Sequence, residues 1–353
     1  MLHCSNDNAR ASLSLIGRIP AAGGSQSLTL ERLADFGPNP GALRGWIHLP
    51  ADLAPGAPLV VALHGCTQDA ATYDADTGWT TLADRAGFAV LLPEQVRANN
   101  PNNCFNWFAP ADSARHGGEA GSIAAMTRAT IAAHTLDPAR VFVTGLSAGG
   151  AMTAAMLATW PELFAGGAII GGLPYACAAG VPQALARMRG QGHGDDAALV
   201  AAVRQAGSTP ERWPSVSLWH GTADTTVYPA NMAALGRQWR GVHGLTGAPA
   251  IEHGRNWTHS IWQANGRSVE EWRIAGMSHG VPTDPHGPDR LGRTGPHALD
   301  VGIAATALIA QGWGIATPAP AARLTRERPA AAPATTGVGD VIERALRQAG
   351  LMR

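Results

Sequence analysis

The sequence predicts an α/β fold with a mostly parallel sheet flanked by helices, and three observations support this class. Residues 59–63 are continuously apolar, as in a strand that is covered on both faces. Strand-like and helix-like segments then alternate along the chain, which favours parallel strands joined by helical crossovers. Ser147, flanked by glycines, lies between a predicted strand at 141–144 and a predicted helix at 151–159. In this arrangement the serine is held at the carboxyl edge of the sheet.

The other elements follow from the same patterns. Apolar runs predict strands at 43–48, 58–64, 88–92, 168–170 and 216–219, and helical patterns predict helices at 80–86 and 122–134. Residues 94–118 are predicted to form a long loop. Asn265 and Gly266 separate strand-like segments at 257–263 and 269–274, a pattern typical of a hairpin turn. We therefore expect an antiparallel edge late in the chain.

Composition indicates how the chain is organised. Its 353 residues are 45% hydrophobic, which is enough for a large core. We expect an N-terminal extension over 1–36, a compact catalytic domain over 37–315, a Pro/Ala-rich linker over 316–337 and a short amphipathic helix over 338–353. That helix either docks on its own domain, frays in solvent or binds a partner. No apolar run is long enough to span a bilayer, and no signal-peptide pattern is visible.

Charge and residue usage exclude several function classes. Basic and acidic residues balance at 26 each, so nothing in the net charge favours nucleic acid as a partner. The chain contains no lysine, which excludes P-loop, Schiff-base and Ser-Lys chemistry. It has neither an HExxH motif nor zinc-type Cys/His spacing, so we expect no metal or other cofactor. Four cysteines (Cys4, Cys66, Cys104, Cys177) permit up to two disulfides in three possible pairings.

The strongest chemical signal is a GxSxG motif centred on Ser147. The motif directly follows a predicted strand and precedes a predicted helix, which is the setting of a nucleophile elbow. There the serine is exposed on a sharp turn, and the helix N-terminus offers backbone N–H donors. We predict Ser147 as the nucleophile and the N–H of Ala148 as one donor of an oxyanion hole.

A nucleophilic serine needs a base and a carboxylate that orients the base, and both should follow it in the chain. Asp224 lies in the turn after the predicted strand 216–219, and His279 lies in a glycine-flanked loop after the predicted strand 269–274. Loops at the carboxyl ends of strands can present such groups to one site. We predict Asp224 as the acid and His279 as the base. The competing acids, which no apolar strand precedes, are Asp195, Asp196, Asp284 and Asp289.

A second oxyanion donor is expected from the loop that follows the apolar strand 59–63. That loop begins with His64 and Gly65, and the backbone N–H of Cys66 is our candidate. The alternative is that His64 and Gly65 only form a tight turn as the chain leaves the strand.

These residues resemble the polyhydroxybutyrate depolymerase family of esterases, whose relatives include feruloyl and acetylxylan esterases. The resemblance spans about residues 37–281 and includes six ordered blocks, at 63–68, 102–108, 144–152, 171–175, 219–224 and 276–280. It implies an α/β-hydrolase fold, a Ser147–His279–Asp224 triad and an oxyanion hole near His64 to Cys66. It also implies a Cys66–Cys104 disulfide, contact of His64 and Trp107 with substrate, and an extracellular or periplasmic location.

The sequence therefore predicts a serine carboxylester hydrolase that acts on short-chain or hydroxyalkanoate esters, with a feruloyl or acetylxylan esterase as the alternative. Triad and oxyanion hole would serve both equally well, because specificity lies in the pocket. A further alternative is a binding protein that uses the same fold without catalysis, against which the ordered Ser, Asp and His argue. The residues after the linker are too few to fold alone, so we expect soluble esters or oligomers to be preferred over crystalline polymer.

Overall fold

A computed structural model describes residues 30–207 and 209–318. The strands are β1 Glu31–Leu33, β2 Arg44–His48, β3 Leu59–Leu63, β4 Ala89–Glu94, β5 Val141–Leu146, β6 Gly166–Ile170, β7 Ser215–Gly221, β8 Ala250–His253, β9 Trp257–Ala264, β10 Arg267–Ile274, β11 Val281–Thr283 and β12 Ala298–Asp300. The helices are α1 Ala70–Thr77, α2 Trp79–Ala86, α3 Pro110–Ser113, α4 Gly118–His134, α5 Ala148–Thr159, α6 Val181–Met188, α7 Asp196–Arg204, α8 Ala230–His243 and α9 Ala305–Gly312. A 3-10 turn at Pro161–Leu163 follows α5.

The central sheet has the order β1-β2-β4-β3-β5-β6-β7-β10-β9-β8. Its middle strands, from β4 to β10, run parallel, whereas β1 and β2 at one edge and β9 and β8 at the other are antiparallel to their neighbours. β11 and β12 form a separate two-stranded sheet. The predicted α/β class and late antiparallel edge are thus confirmed. Asn265 and Gly266 both have positive φ, as a tight hairpin between β9 and β10 requires.

Helices cover both faces of the sheet, and β3 shows why its sequence is apolar throughout. Val61 and Leu63 pack into one core cluster with residues of α4 and α5, whereas Val60 and Ala62 pack into another with residues of α1, α2 and α9. Because successive side chains point to opposite faces, a strand covered on both sides has no position for a polar residue. This burial fixes the strand ends from which the site is built.

Several elements depart from the predictions. α4 begins at Gly118 rather than at residue 122, and α3 interrupts the predicted loop at 94–118. The predicted N-terminal extension ran to residue 36, yet β1 lies within it and pairs with β2 in the central sheet. Helices α1, α6, α7, α8 and α9 were not predicted. Two of them had a local signal that was missed, because Asp69 before α1 and Asp195 before α7 are N-caps whose side chains accept a backbone N–H of the first turn.

Two predictions lie outside the described residues: the amphipathic helix at 338–353 and most of the linker at 316–337. Cys4 and most of the N-terminal extension lie outside them too, and Cys177 has no disulfide partner among the described residues. No helix in the described ranges combines the length and hydropathy needed to cross a bilayer.

Candidate active site

Ser147 occupies a strained turn between β5 and α5. Its φ of 58° and ψ of −116° are rare for a residue with a side chain, and Ile170 O accepts a hydrogen bond from its amide at 2.9 Å. The flanking glycines are required here, because a Cβ on Gly149 would collide with the carbonyl oxygens of Leu63 and His64 at the end of β3. The GxSxG motif therefore reflects the close approach of β3 to this turn.

Asp224 and His279 meet in a buried hydrogen bond. His279 Nδ1 lies 2.7 Å from Asp224 Oδ2, and Asp224 Oδ1 accepts hydrogen bonds from the amides of Thr226 and Val227, each at 2.9 Å. Both side chains follow strand ends, Asp224 after β7 and His279 after β10, and these two strands are neighbours in the sheet. The structure thus brings together two residues that are 55 positions apart in the sequence.

His220 is a further contact of Asp224, and we predicted no function for it. Its Nε2 lies 2.7 Å from Val227 O and 3.3 Å from Asp224 Oδ2, so this imidazole braces the turn that carries the acid. Burial opposes ionisation of Asp224, but the charge of His279 and the hydrogen bonds from both histidines outweigh it. They hold the pKa of the Asp224 carboxyl well below its usual range. An anionic Asp224 can orient the ring of His279.

Ser147 and His279 approach the same short segment of chain from two sides. Ser147 binds Ile170 through its amide, and the next residue, Gly171, has its Cα beside the imidazole. A Cβ built on Gly171 would lie 3.1 Å from His279 Cε1. No hydrogen bond joins Ser147 to His279 among the described residues.

An apolar cleft of about 120 Å³ opens beside Ser147. One wall is the loop after β4, the other is α6, and the floor includes Ser147 and Ala148. The residues that line it are Cys66, Asn100, Pro101, Asn102, Cys104, Trp107, Phe108, Ser147, Ala148, Leu173, Val181, Ala184, Leu185, Met188 and Val227. Trp107, predicted to contact substrate, is among them. The contribution of α6 was not predicted, because nothing in its sequence connects it with the site.

The two amides predicted as oxyanion donors both belong to residues of this cleft. Ala148 is the first residue of α5, where no helical hydrogen bond uses the amide. Within the described chain, no backbone acceptor takes the Cys66 amide. The predicted Cys66–Cys104 disulfide is confirmed, and it ties the loop after β3 to the cleft wall.

His64 has a different place from the one predicted. It has no exposed surface and is not part of the cleft lining, so contact with substrate is not supported. Its Nε2 accepts the amide of Gln95 at 3.0 Å, and its Nδ1 lies 2.8 Å from Gly65 O. Burial lowers the pKa of His64, which favours a neutral ring that makes these two hydrogen bonds. His64 therefore shapes the loop that carries Cys66.

The same loop is held from its far end by a chain of polar side chains. Gln68 Oε1 accepts the amide of Gly65 at 2.9 Å, and Gln68 Nε2 donates to Asp76 at 3.3 Å. Asp76 in turn accepts from Arg293 Nε at 2.9 Å. The contact between Asp76 and Arg293 could not be predicted from the sequence, because the two residues are 217 positions apart.

Metal chemistry has no candidate site in the part of the chain that is described. Across residues 30–207 and 209–318, no three His, Cys, Asp or Glu side chains are grouped so as to hold a metal ion.

Comparisons with known proteins find similarity to depolymerases and esterases. A family model described as "Esterase PHB depolymerase" matches residues 46–257. The chain is 41% identical over 320 residues to poly(3-hydroxyalkanoate) depolymerase C of Paucimonas lemoignei, covering 87% of this chain and 77% of that protein. It is 32% identical over 287 residues to acetylxylan esterase A of Aspergillus oryzae, covering 74% of this chain and 86% of that protein.

Feruloyl esterase B of Talaromyces stipitatus is 32% identical over 278 residues, which cover 72% of this chain and 73% of that protein. Among solved structures, acetyl xylan esterase from Aspergillus awamori superposes with a TM-score of 0.70 at 27% identity, covering 81% of this chain and 99% of that one. The mostly parallel sheet and flanking helices are thus those of the α/β-hydrolase fold.

Proposed function

The chain belongs to the esterase PHB depolymerase family, and on that premise we propose that it is a serine hydrolase whose triad is Ser147, His279 and Asp224. It is a carboxylic ester hydrolase, as its named relatives indicate. The observation that carries the proposed mechanism is the buried 2.7 Å contact between His279 Nδ1 and Asp224 Oδ2. The imidazole of His279 lies beside Gly171, and the preceding residue, Ile170, accepts the amide hydrogen bond of Ser147.

In the proposed reaction, Ser147 Oγ attacks the ester carbonyl while His279 Nε2 takes the serine proton. The C–O bond to the leaving alcohol then breaks as His279 returns that proton, which leaves an acyl-enzyme. Water attacks the acyl-enzyme by the same route in reverse and releases the acid and Ser147. Asp224 keeps the imidazole in the required tautomer and stabilises its positive charge. Hydrogen bonds of a catalytic serine are often long without substrate and tighten when it binds.

The negative charge of the tetrahedral intermediate requires donors fixed in advance. We assign this role to the backbone N–H groups of Cys66 and Ala148, which belong to residues that line the cleft beside Ser147. Removal of one such donor typically costs about 10² to 10³ in kcat.

For the substrate, we propose short-chain or hydroxyalkanoate esters. The cleft beside Ser147 is lined mainly by apolar side chains, which suits a short aliphatic acyl group. The relative with 41% identity is named a poly(3-hydroxyalkanoate) depolymerase. Esters of plant cell-wall polymers are the second candidate, favoured by the structural similarity to an acetyl xylan esterase.

The mechanism is tested with Ser147→Ala, assayed against p-nitrophenyl esters of graded chain length. We expect kcat to fall by roughly four to six orders of magnitude without loss of folding. Ser215→Ala is the control, because Ser215 begins β7 and so lies at the end of that strand opposite to the one that Asp224 follows. More than a tenth of wild-type activity in pure Ser147→Ala protein would refute the assignment.

The substrate class is tested with a panel of 3-hydroxybutyrate oligomers, methyl ferulate and acetylated xylan. A higher kcat/KM for the 3-hydroxybutyrate oligomers supports the first candidate. A higher value for methyl ferulate or acetylated xylan replaces it with the second.

A further inference from the structure

Glu119 is a buried carboxyl group in contact with the loop after β4, which forms one wall of the cleft. It is the second residue of α4 and is 1% exposed. Its oxygens accept hydrogen bonds from Asn106 N at 2.7 Å, Asn106 Nδ2 at 2.8 Å and Gln95 Nε2 at 2.5 Å. All three facing groups are donors, so the ionised carboxylate, with acceptors on both terminal atoms, satisfies all of them.

Through Gln95, Glu119 is connected to the loop that carries Cys66. The Gln95 amide donates to His64 Nε2 at 3.0 Å, and its side-chain Nε2 also donates to Cys104 O at 3.1 Å. His64 is two residues before Cys66, and Cys104 is bonded to Cys66. Gln95 therefore holds the chain near both cysteines of the disulfide, through His64 near Cys66 and through the carbonyl of Cys104.

Through Asn106, Glu119 is also connected to the cleft wall. Asn106 Oδ1 accepts from Asn100 Nδ2 at 2.8 Å. Asn100 Oδ1 in turn accepts from Asn102 N at 3.0 Å, and both Asn100 and Asn102 line the cleft. One carboxyl group thus anchors the wall and the candidate oxyanion loop at the same time.

We propose that Glu119 is a positioning residue that holds the Cys66 loop and the cleft wall in the geometry that ester hydrolysis needs. It acts through Gln95 and Asn106 and touches no reacting atom. The inference rests on the proposed function for its kinetic consequence, whereas its structural consequence, a firmly held disulfide, can be measured without any substrate.

A merely structural role would give a different result, and Asp74 provides the comparison. Asp74 is also 1% exposed, and its oxygens accept from Thr80 N at 2.9 Å and Thr80 Oγ1 at 2.6 Å. These bonds cap α2 on the other face of the sheet, and Asp74 is not part of the cleft. Asp74→Asn should therefore cost stability as Glu119→Gln does, without loosening the site.

The test compares Glu119→Gln and Asp74→Asn in the full-length protein. The comparison is made at pH 9, above the pKa of about 8 to which burial raises Glu119, so that the wild-type carboxyl group is ionised. The glutamine keeps the shape of the side chain but turns one acceptor into a donor that faces other donors, which leaves a buried group without its partner. The first readout is the rate at which dithiothreitol reduces the Cys66–Cys104 bond under native conditions. The second is kcat and KM for a soluble p-nitrophenyl ester.

For Glu119→Gln we expect reduction about tenfold faster than in wild type, because the loops on both sides of the disulfide lose their anchor. We also expect kcat/KM to fall roughly 10- to 100-fold, with kcat reduced and KM raised, since a displacement of about 1 Å can cost 10². Asp74→Asn should stay within about twofold of wild type in both readouts, at a measurable cost in unfolding midpoint.

Equal reduction rates in wild type and Glu119→Gln would overturn the proposal, and so would changes that Asp74→Asn reproduces. If Glu119→Gln does not fold, Asn106→Ala serves in its place. It removes the side-chain link from Glu119 to Asn100 but leaves the backbone bond, and we expect a reduction rate several-fold above wild type. A wild-type rate would refute the proposal. If wild type hydrolyses no ester, the proposed function fails, while the reduction rate still decides the role of Glu119.

Discussion

The candidate site has an acid–base side, formed by Asp224 and His279, and a cleft side, formed by the Cys66 loop and the wall after β4. The two sides are held in different ways. Asp224 is fixed within one turn, by the amides of the residues two and three positions later. The Cys66 loop depends on distant partners: a disulfide 38 positions away, Gln95 with Glu119, and Asp76 with Arg293. A local turn thus orients the acid that positions His279, whereas long-range contacts shape the groups that bind and stabilise. Substitutions far from the cleft should damage the second side more than the first.

The largest expected effect is on the acid–base side. Asp224→Asn should lower kcat by about 10⁴, because the amide no longer enforces the tautomer of His279. The reduction rate of the disulfide should remain that of wild type, since the cleft side has its own supports. Steady-state kinetics on a soluble ester measures the first quantity. Asp196→Asn, a substitution in an exposed ion pair with Arg237, is the control. Retention of a tenth of the activity would show that Asp224 is not the acid.

The disulfide is the strongest single support of the cleft side. Cys104→Ala should lower the free energy of unfolding by about 2–4 kcal/mol, because the bridge closes a loop of 38 residues. Urea unfolding of both proteins measures this difference. Cys177→Ala, at a half-buried position without a disulfide partner among the described residues, should cost less. An unchanged midpoint in Cys104→Ala would contradict the role given to the bridge.

Gly171 lies beside His279 and directly follows Ile170, which binds the amide of Ser147. Its substitution should have a smaller effect than the loss of Asp224 or of the disulfide. An alanine there must adopt a φ of 52° and place its Cβ 3.1 Å from His279 Cε1. We expect kcat to fall roughly tenfold, as for a loss of about 1.4 kcal/mol in transition-state stabilisation. Gly87→Ala is a matched control, since Gly87 has a φ of 74° with no atom near its Cβ position. Equal kinetics for both variants would show that the imidazole tolerates the added methyl group.

The contributions of Asp224 and Glu119 to the free energy of unfolding should change with pH in opposite directions, although the effect is modest. The pKa of Asp224 is lowered, so its contribution to stability is present above the unfolded value of 3.8 and is lost as pH falls below it. Burial raises the pKa of Glu119 from 4.5 to about 8. The folded chain then binds this proton more tightly than the unfolded chain, so the contribution of Glu119 declines as pH rises from about 4.5 to 8.

The decline cannot exceed about 1.4 kcal/mol per pH unit for a single group. Urea unfolding of wild type and Glu119→Gln between pH 5 and 9 measures it, and we expect a shallower decline in the variant. Asp74→Asn should flatten the curve at lower pH, because burial raises the pKa of Asp74 only to about 6. Parallel curves for wild type and Glu119→Gln would show that Glu119 does not titrate in this range.

The sequence by itself determined the α/β class, the central strands and the candidate triad. A strand buried on both faces must be apolar at every position, and a nucleophile on a sharp turn needs small neighbours, so both leave a local pattern. Asp224 and His279 became candidates because each lies in the loop that follows a predicted strand. The Cys66–Cys104 disulfide came from family resemblance, since spacing alone left three pairings open.

Only the tertiary structure decided what holds the cleft. The contacts of Glu119 with Asn106 and Gln95 join residues 13 and 24 positions apart, and a buried polar group leaves no periodic pattern in the sequence. For the same reason His64 was predicted as a substrate contact and is instead a buried support of its loop. The wall supplied by α6 depends on how the helix packs, which its own residues do not specify. Local sequence thus determines which groups stand at the strand ends, and long-range packing determines the cavity that they face.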